Sequence, residues 1–446
     1  INNNLIISFM KQNQKLLVVN INEFNYDFLL RQSKVFKCKN IIKFFDNFDK
    51  SKTFTLDKIQ HENLDPWVQE VSINTGKNSK KHKIRNLGEK LNSNIIQIWD
   101  LISKKFTVSV WGSMNSQLRD NKNIKVFFPD PWNFTSKIKP KNLENLFLLP
   151  NYYAKNYTNI RIFDFIKYAI YLIKMVLTSS LVLKHFLSNF FFYLKNIFFS
   201  KIPLNFKFFT VFDIISLLIL LNLEKKNRSD CVFIFLNSIA HFQHNYWDDQ
   251  KNYENYFIFL DKLFFVLNKH LLNYQSAIIY NGFTQKKIKP EYLLRPYDPE
   301  SLLDKLKIKF QRSEQNMTNG AILFFKNEGE QKYFYNKMKN LSLGNLYLFE
   351  LKKINKKSFF YKVRIKSNYQ KSKKLSFKRK FKYYKAYKKS KKKNLNFNLL
   401  DEFKFIKTTG KHINQGLFFH KNLNVKIKKK FQNHFIFNII KESLNV

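Results

Sequence analysis

Residues Lys15 to Ile21 read KLLVVNI, an apolar run too short for a helix, and the following EFNYDFLLRQ switches to helical spacing. A run apolar at nearly every position and closed by polar residues is the pattern of a strand buried on both faces. The pattern returns three times. Thr107 to Trp111 (TVSVW) follows the helix-like NIIQIWDLISKK and enters a Gly112-Ser113 turn, while Cys231 to Leu236 (CVFIFL) and Ala277 to Tyr280 (AIIY) flank the long helical stretch NYENYFIFLDKLFFVLNKHLLNY. Strands alternating with helices predict an α/β chain with a central, mainly parallel sheet covered on both faces, whose functional groups gather where strands end. With 446 residues there is room for one large α/β domain or two smaller ones. No internal repeat interrupts the series.

Between the second and third strands lies an apolar stretch, Ile162 to Leu223. A bilayer span needs about twenty nearly uncharged residues. Here Lys167, Lys174, Lys184 and Lys195 break the first part, and the second, FDIISLLILLNL, is only a dozen residues long. The reading is therefore a helical insertion at about 162–225, buried or facing a partner, with no membrane contact expected.

Charge sets the chain apart. Its formal net charge is +47. The densest part runs from Lys371 to Lys393, KSKKLSFKRKFKYYKAYKKSKKK, with no acid. Its thirteen cations are Lys371, Lys373, Lys374, Lys378, Arg379, Lys380, Lys382, Lys385, Lys388, Lys389, Lys391, Lys392 and Lys393, interleaved with rings that include Tyr383, Tyr384 and Tyr387. Such a segment is either a solvated tail or a polyanion ligand, since Lys releases counterions from phosphates and flat rings stack on bases. Taking those thirteen charges from +47 still leaves +34 on the remaining residues, so the basicity is global. A compact body with that imbalance repels itself unless a polyanion neutralises it.

Seventy Lys against nine Arg, with abundant Phe, Asn and Ile, is the vocabulary of an AT-rich genome. That bias and the initial Ile1 point to a mitochondrial gene, whose product needs no import signal; the start INNNLIISFMKQNQK has the pattern of neither a transit peptide nor a secretory signal. Bias accounts for Lys in place of Arg. It does not require the net charge, because Asn is as accessible as Lys and is neutral. Cys38 and Cys231 are too few and too far apart for a disulfide framework or a cysteine zinc site.

Eight stretches are more specific: NINEFNYDFL at 20–29, LDPWVQEVSINTGKNSKKHKIRNLG at 64–88, VWGSMNSQ at 110–117 with FFPDPWNF at 127–134, FLNSIAHFQHNYW at 235–247, IIYNGFTQ at 278–285, YLLRPYDPESLL at 292–303 and GKHINQG at 410–416. As an ordered set across about residues 15 to 427 they resemble a bacterial branch of the alkaline phosphatase-like superfamily, which includes phosphatases, nucleotide pyrophosphatases and sulfatases. The resemblance implies an α/β three-layer fold with a central mainly parallel sheet, to which this chain adds the helical insertion and a basic extension. The implied organisation is an N-terminal extension at 1–14, the α/β domain at 15–365, the basic segment at 366–396, and a return to the core at 397–446.

The superfamily's chemistry uses two metal ions and a Ser/Thr nucleophile at a helix start. Carried over residue by residue, the first ligand position falls at Asn22-Glu23, and the nucleophile position near Asp65-Pro66-Trp67, where no hydroxyl stands. The central Asp-x-x-x-His element becomes Ala240 with His244, the later Asp-His pair falls at Asn281-Gly282, and the last His is kept as His412. Thr75 and His82 keep further family marks. One carboxylate cannot balance two divalent ions, so the two-metal reaction is expected to be lost, leaving no catalytic residue, no cofactor and no enzyme. Glu23, His241, His244 and His412 remain candidates for a single ion, the i, i+3 spacing placing both HFQH imidazoles on one helix face.

Three functions follow as expectations. The first is a structural, RNA-binding protein of the mitochondrial ribosome, its partners ribosomal RNA and other mitochondrial ribosomal proteins. The second is a metal-dependent phosphoesterase or sulfatase-like hydrolase. The third is a peripheral subunit of an inner-membrane complex, docked through 162–223 on anionic headgroups.

Overall fold

In the computed structural model the KLLVVNI run forms a strand, Gln14–Ile21 (β1), inside an eight-stranded sheet. The residues described are 14–57, 64–133, 136–156, 160–315, 320–343, 346–347, 349–363, 366–368, 387–388 and 403–446. The expected extension at 1–14 and basic segment at 366–396 lie outside them, apart from Gln14, Lys366–Asn368 and Tyr387–Lys388.

The other strands are Asp49–Phe54 (β2), Val108–Trp111 (β3), Ile124–Phe128 (β4), Cys231–Leu236 (β5), Tyr274–Tyr280 (β6), Gln415–Lys421 (β7) and Lys430–Gln432 (β8), in spatial order β8-β2-β7-β6-β1-β5-β3-β4. β1 pairs in parallel with β5 and β6, Leu17 standing opposite Val232 on one side and Ala277 on the other. β3 is parallel to β5 and β4, and β8 to β2. β7 is antiparallel to both of its neighbours, β6 and β2, so it alone runs against the rest. The chain is thus an α/β protein with a large, mainly parallel central sheet.

The register explains why these runs are apolar throughout. Leu17, Val19 and Ile21 join Val232, Ile234 and Ile279 in one core, while Leu16 and Val18 join Phe233 and Ile278 in a second. Side chains alternate across a strand, so only a strand covered on both sides needs every position apolar. Burying each such side chain is worth about 1.5–3 kcal/mol.

The helices that matter for the site and the surface are Tyr26–Val35 (α1), Pro66–Thr75 (α2), Ile162–Thr178 (α3), Leu204–Asn227 (α4), Ser238–Tyr246 (α5) and Tyr253–Leu271 (α6). α4 and α6 pack on one another and fill the first core with Ile214, Leu217, Leu218, Phe257, Leu260 and Phe264. Ile436 and Ile440 of Ile436–Ser443 enter the second. α4 is long and apolar enough to cross a membrane, but 61% of its most apolar window is buried inside the protein. Within it the buried Lys207 donates from Nζ to the carbonyls of Ile197 at 2.7 Å and Ser200 at 3.0 Å, satisfying the end of the π-helical turn Lys195–Phe199. α3 behaves differently: it has no buried residue at all.

The described residues within 1–286 and 410–446 form one compact unit, which holds this sheet, and those within 287–409 form another. The second unit has an antiparallel sheet in the order Phe349–Lys353, Ser358–Val363, Gly320–Phe324, Arg312–Gln315, with Leu302, Leu303, Leu323, Phe334 and Tyr361 in its core.

Candidate metal centre

Parallel strands bring their carboxyl ends to one edge of a sheet. Glu23 follows β1 there, α5 carries His244 after β5, and Gln285 lies just past β6. His412 precedes β7, and because β7 is antiparallel its amino end lies at that same edge. The one reversed strand therefore delivers the last His to the site.

His244 Nε2 and His412 Nε2 each lie 2.9 Å from Glu23 Oε2, and 3.4 Å from one another. Gln285 Nε2 donates to the same Oε2, and Asn22 Nδ2 reaches Oε1 at 3.2 Å. The Glu23 backbone is left-handed, φ 55°, and its carbonyl accepts from Gln243 Nε2 at 2.9 Å and Thr284 Oγ1 at 3.2 Å. Burial alone would raise the Glu23 carboxyl. The charges and hydrogen bonds of His412 and His244 outweigh it and hold the group well below the usual carboxylate range. Burial likewise works against the charge on His412, yet Glu23, with Asp65 further off, pushes its pKa up to about 9. His412 Nδ1 donates to the Leu64 carbonyl at 2.8 Å. Both of its ring nitrogens thus face oxygen acceptors, which favours the imidazolium.

Glu23, His244 and His412 offer three ligand atoms that all lie within 4.8 Å of one another. Two zinc–nitrogen bonds of about 2.0–2.1 Å at a tetrahedral angle span about 3.4 Å, which is the separation of the two Nε2 atoms. The Leu64 carbonyl fixes the His412 tautomer that leaves Nε2 for a metal, the arrangement in which an imidazole ligand is oriented from its far side. The donor set fits one divalent ion of zinc type. It does not fit two, for Asn22, Ala240, Asn281 and Gly282 stand where the resemblance needs carboxylates or imidazole.

The other expected site residues are placed in structural roles. His241 is a correction. The i, i+3 spacing does not bring it to Glu23; its ring stacks on Phe209 at 4.0 Å and 8°, its Nε2 lies 3.3 Å from Asn237 Nδ2, and burial with nearby His244 pushes its pKa down to about 4. Asn22 also donates to Asn237 Oδ1 at 2.7 Å. Asn281 Nδ2 donates to the Phe24 carbonyl at 2.7 Å and its Oδ1 accepts from Leu417 N at 2.6 Å, pinning the loop that carries Glu23 to β7. Thr75 Oγ1 donates to Val71 O at 2.7 Å at the end of α2, next to Gly76 at φ 64°. His82 Nδ1 accepts from Ile84 N at 3.1 Å, so its Nε2 carries the proton toward Ser72 Oγ at 3.0 Å, the reverse of what an activated serine requires. At the head of α2, Asp65 is the N-cap and Pro66 the first helical residue, and no hydroxyl is present there. Of the Lys371–Lys393 run, only Tyr387–Lys388 lies among the described residues, as a short strand paired with Leu341–Leu343.

Sequence reasoning missed Gln285, whose amide holds Glu23, and Gly410, where an added Cβ would collide with Gln285 Oε1. Both sit inside quoted motifs, IIYNGFTQ and GKHINQG. It also missed a second buried cluster, in which Glu70 accepts from Asn20, from Asn74 Nδ2 at 3.0 Å and from Ser113 Oγ at 3.3 Å. Burial raises both Glu70 and Asp130 to about 7, with hydrogen bonds to each offsetting part of the effect and Glu70 adding repulsion at Asp130.

No protein-family model matches the sequence, and no curated protein matches it. Among solved structures the chain is similar to phosphonoacetate hydrolase from Sinorhizobium meliloti, at 9% identity over 97% of this chain and 96% of that one, TM-score 0.45. It is also similar to murine ectonucleotide pyrophosphatase/phosphodiesterase 5, at 12% identity over 97% and 95%, TM-score 0.40. The alkaline phosphatase of the Antarctic bacterium TAB5 is 10% identical over 98% and 99%, TM-score 0.37. These are likenesses of fold alone, to a chain whose own architecture is α/β with a mainly parallel central sheet. These neighbours correct the expectation that the chain is no enzyme: by name they are a hydrolase, a phosphodiesterase and a phosphatase. Missing ligands and a missing hydroxyl at matched positions rule out one two-metal arrangement. They do not rule out chemistry at a site that keeps three converging donors.

Proposed function

We propose that this chain is an RNA-bound component of the mitochondrial ribosome, held among ribosomal RNA and other ribosomal proteins. The observation that carries the reading is the net charge of +47, of which +34 lies outside the Lys371–Lys393 run. Charge spread so widely on a body with an ordered core is stable in the company of phosphate, and the run itself supplies Lys for the backbone and rings for stacking. Sedimentation of a mitochondrial lysate, with and without ribonuclease, tests it. The protein should travel with ribosomes and leave that fraction once RNA is digested; a ribosomal fraction without the chain ends the reading.

A second reading rests on the Glu23, His244 and His412 donors, which would hold one zinc-type ion. Such an ion supplies Lewis acidity and lowers the pKa of bound water, the chemistry of metal-assisted phosphoester hydrolysis. Around it the chain's own part is to fix the His412 tautomer through Leu64 and to keep the Glu23 carboxylate ionised. Purified protein that contains one equivalent of zinc and cleaves an activated phosphodiester supports this reading. Zinc-free protein with no turnover after zinc is added removes it.

A further inference from the structure

Apolar side chains on a surface helix normally face inward. α3 departs from this: Phe163 is 85% exposed, Ile166 50%, Ile170 47%, Ile173 54% and Leu177 59%. Their spacing of three and four residues sets them in one stripe along the outer side of the helix. On the inner side Leu172, Met175 and Val176 pack against the first core, so the helix is already seated and its outer stripe is surplus to the fold. Lys167 and Lys174, both exposed, fall one residue beyond Ile166 and Ile173 and edge the stripe. Further on, Lys184, Lys195 and Lys201 are exposed as well, and from Phe165 to Phe212 the chain has no Asp or Glu.

We propose that α3 lies on an anionic lipid surface, its Phe163–Leu177 stripe set among the acyl chains and its lysines among the headgroup phosphates. A stripe of Ile, Leu and Phe with cationic flanks and a single acid, Asp164 in the first turn, is the composition of an interfacial helix. Lysine stems can cover apolar surface while their ammonium groups stay in the headgroup layer. Other occupants fit less well. A second copy of this helix would bring Lys167 and Lys174 against the same lysines, with Asp164 of the first turn as the one acid each copy offers to pair them. RNA would pair with the lysines and leave the aliphatic stripe in water. The placement also revises the sequence expectation for this stretch: α4 is the buried helix, and α3 is the one available to a membrane.

Flotation of the full chain with vesicles tests the proposal. Vesicles of phosphatidylcholine alone are compared with vesicles containing phosphatidylglycerol, at low salt and at about 0.5 M salt, where exposed charges are screened within a few ångströms. The wild-type chain is expected to float with the anionic vesicles, and a fraction is expected to remain bound in high salt. A doubly substituted Ile166→Asp, Ile170→Asp chain should lose that fraction, with partitioning reduced roughly tenfold or more. A Lys167→Glu, Lys174→Glu chain should bind anionic vesicles more weakly at low salt, the rest of the basic chain still favouring them, while keeping its salt-resistant binding. All four positions are exposed, and unchanged melting curves confirm that the variants fold. Binding that disappears entirely in high salt overturns the proposal, since general basicity would then explain it. Equal flotation of the Ile166→Asp, Ile170→Asp chain and wild type does so too, as does a wild-type chain that ignores vesicles and self-associates through α3.

Discussion

Glu23 sits in a left-handed backbone with its carboxylate buried at 2% exposure, and it is held there by two imidazoles and an amide. A non-glycine residue in that conformation costs of order 1 kcal/mol and persists because its surroundings over-determine it. Glu23→Gln removes the charge that His412 faces while keeping the shape. Breaking a buried pair in this way costs about 3 kcal/mol, read as a drop in the denaturant midpoint at pH 6, together with a fall of the His412 pKa from about 9. The pair's own pH dependence follows from both shifts. His412, raised from 6.5 to about 9, contributes stability that is complete below 6.5 and lost as pH rises through 9. Glu23, lowered from 4.5, contributes stability complete above 4.5 and lost as pH falls through its depressed value. Zinc must displace the His412 proton, so its affinity should climb by about tenfold per pH unit up to about 9 and each binding event should release a proton. Calorimetry in two buffers of different ionisation enthalpy measures that release. Glu23, His244 and His412 were singled out in the sequence because the stretches NINEFNYDFL, FLNSIAHFQHNYW and GKHINQG carry them. His241 was misread because helical spacing fixes a side of the helix and says nothing of Phe209, which comes from α4 and claims the ring.

At the scale of elements, α3 and α4 show what composition can and cannot reveal. Both are rich in Ile, Leu and Phe and both belong to the stretch read from sequence as buried or partner-facing. α4 is enclosed by α6 and the sheet; α3 keeps an apolar stripe in solvent. Apolar content predicts that a helix needs cover, but tertiary packing decides whether the protein itself supplies it. Substitution separates the two. Leu218→Ala, at 1% exposure, should cost about 2–5 kcal/mol by leaving a cavity, whereas Phe163→Ala should stay within about 0.5 kcal/mol in the isolated chain. Thermal or chemical denaturation of both variants measures this. The strands were the most legible elements, since KLLVVNI, TVSVW, CVFIFL and AIIY all lie in the sheet. The reversed strand β7 was not legible, because its sequence QGLFFHK has no feature that states direction, and direction is what brings His412 to the site.

Across the whole molecule, two electrostatic loads act on the fold. Net charge of +47 makes the surface repel itself, and the interior holds Glu70 and Asp130, each raised to about 7 by burial. Between about pH 4 and 7 the folded chain keeps these two carboxyls protonated while the unfolded chain ionises them. The folded state therefore binds more protons, and this contribution to stability is full at low pH and fades as pH rises through 7. Each group contributes on the order of 3 kcal/mol across that window. Glu70→Gln, which stays neutral and keeps an oxygen for Asn74 and Ser113, should flatten about half of the slope. Surface repulsion answers to a different variable. Added salt or a short polyanion should raise the melting temperature at any pH by screening or pairing the lysines, whereas salt should weaken RNA binding, because each phosphate contact releases a counterion. A melting temperature that rises with salt while RNA affinity falls steeply over the same range assigns both effects to the surface lysines. A salt-independent melting temperature would place the positive charge too far apart to strain the fold, and the argument from charge to a polyanion partner would lose its physical basis.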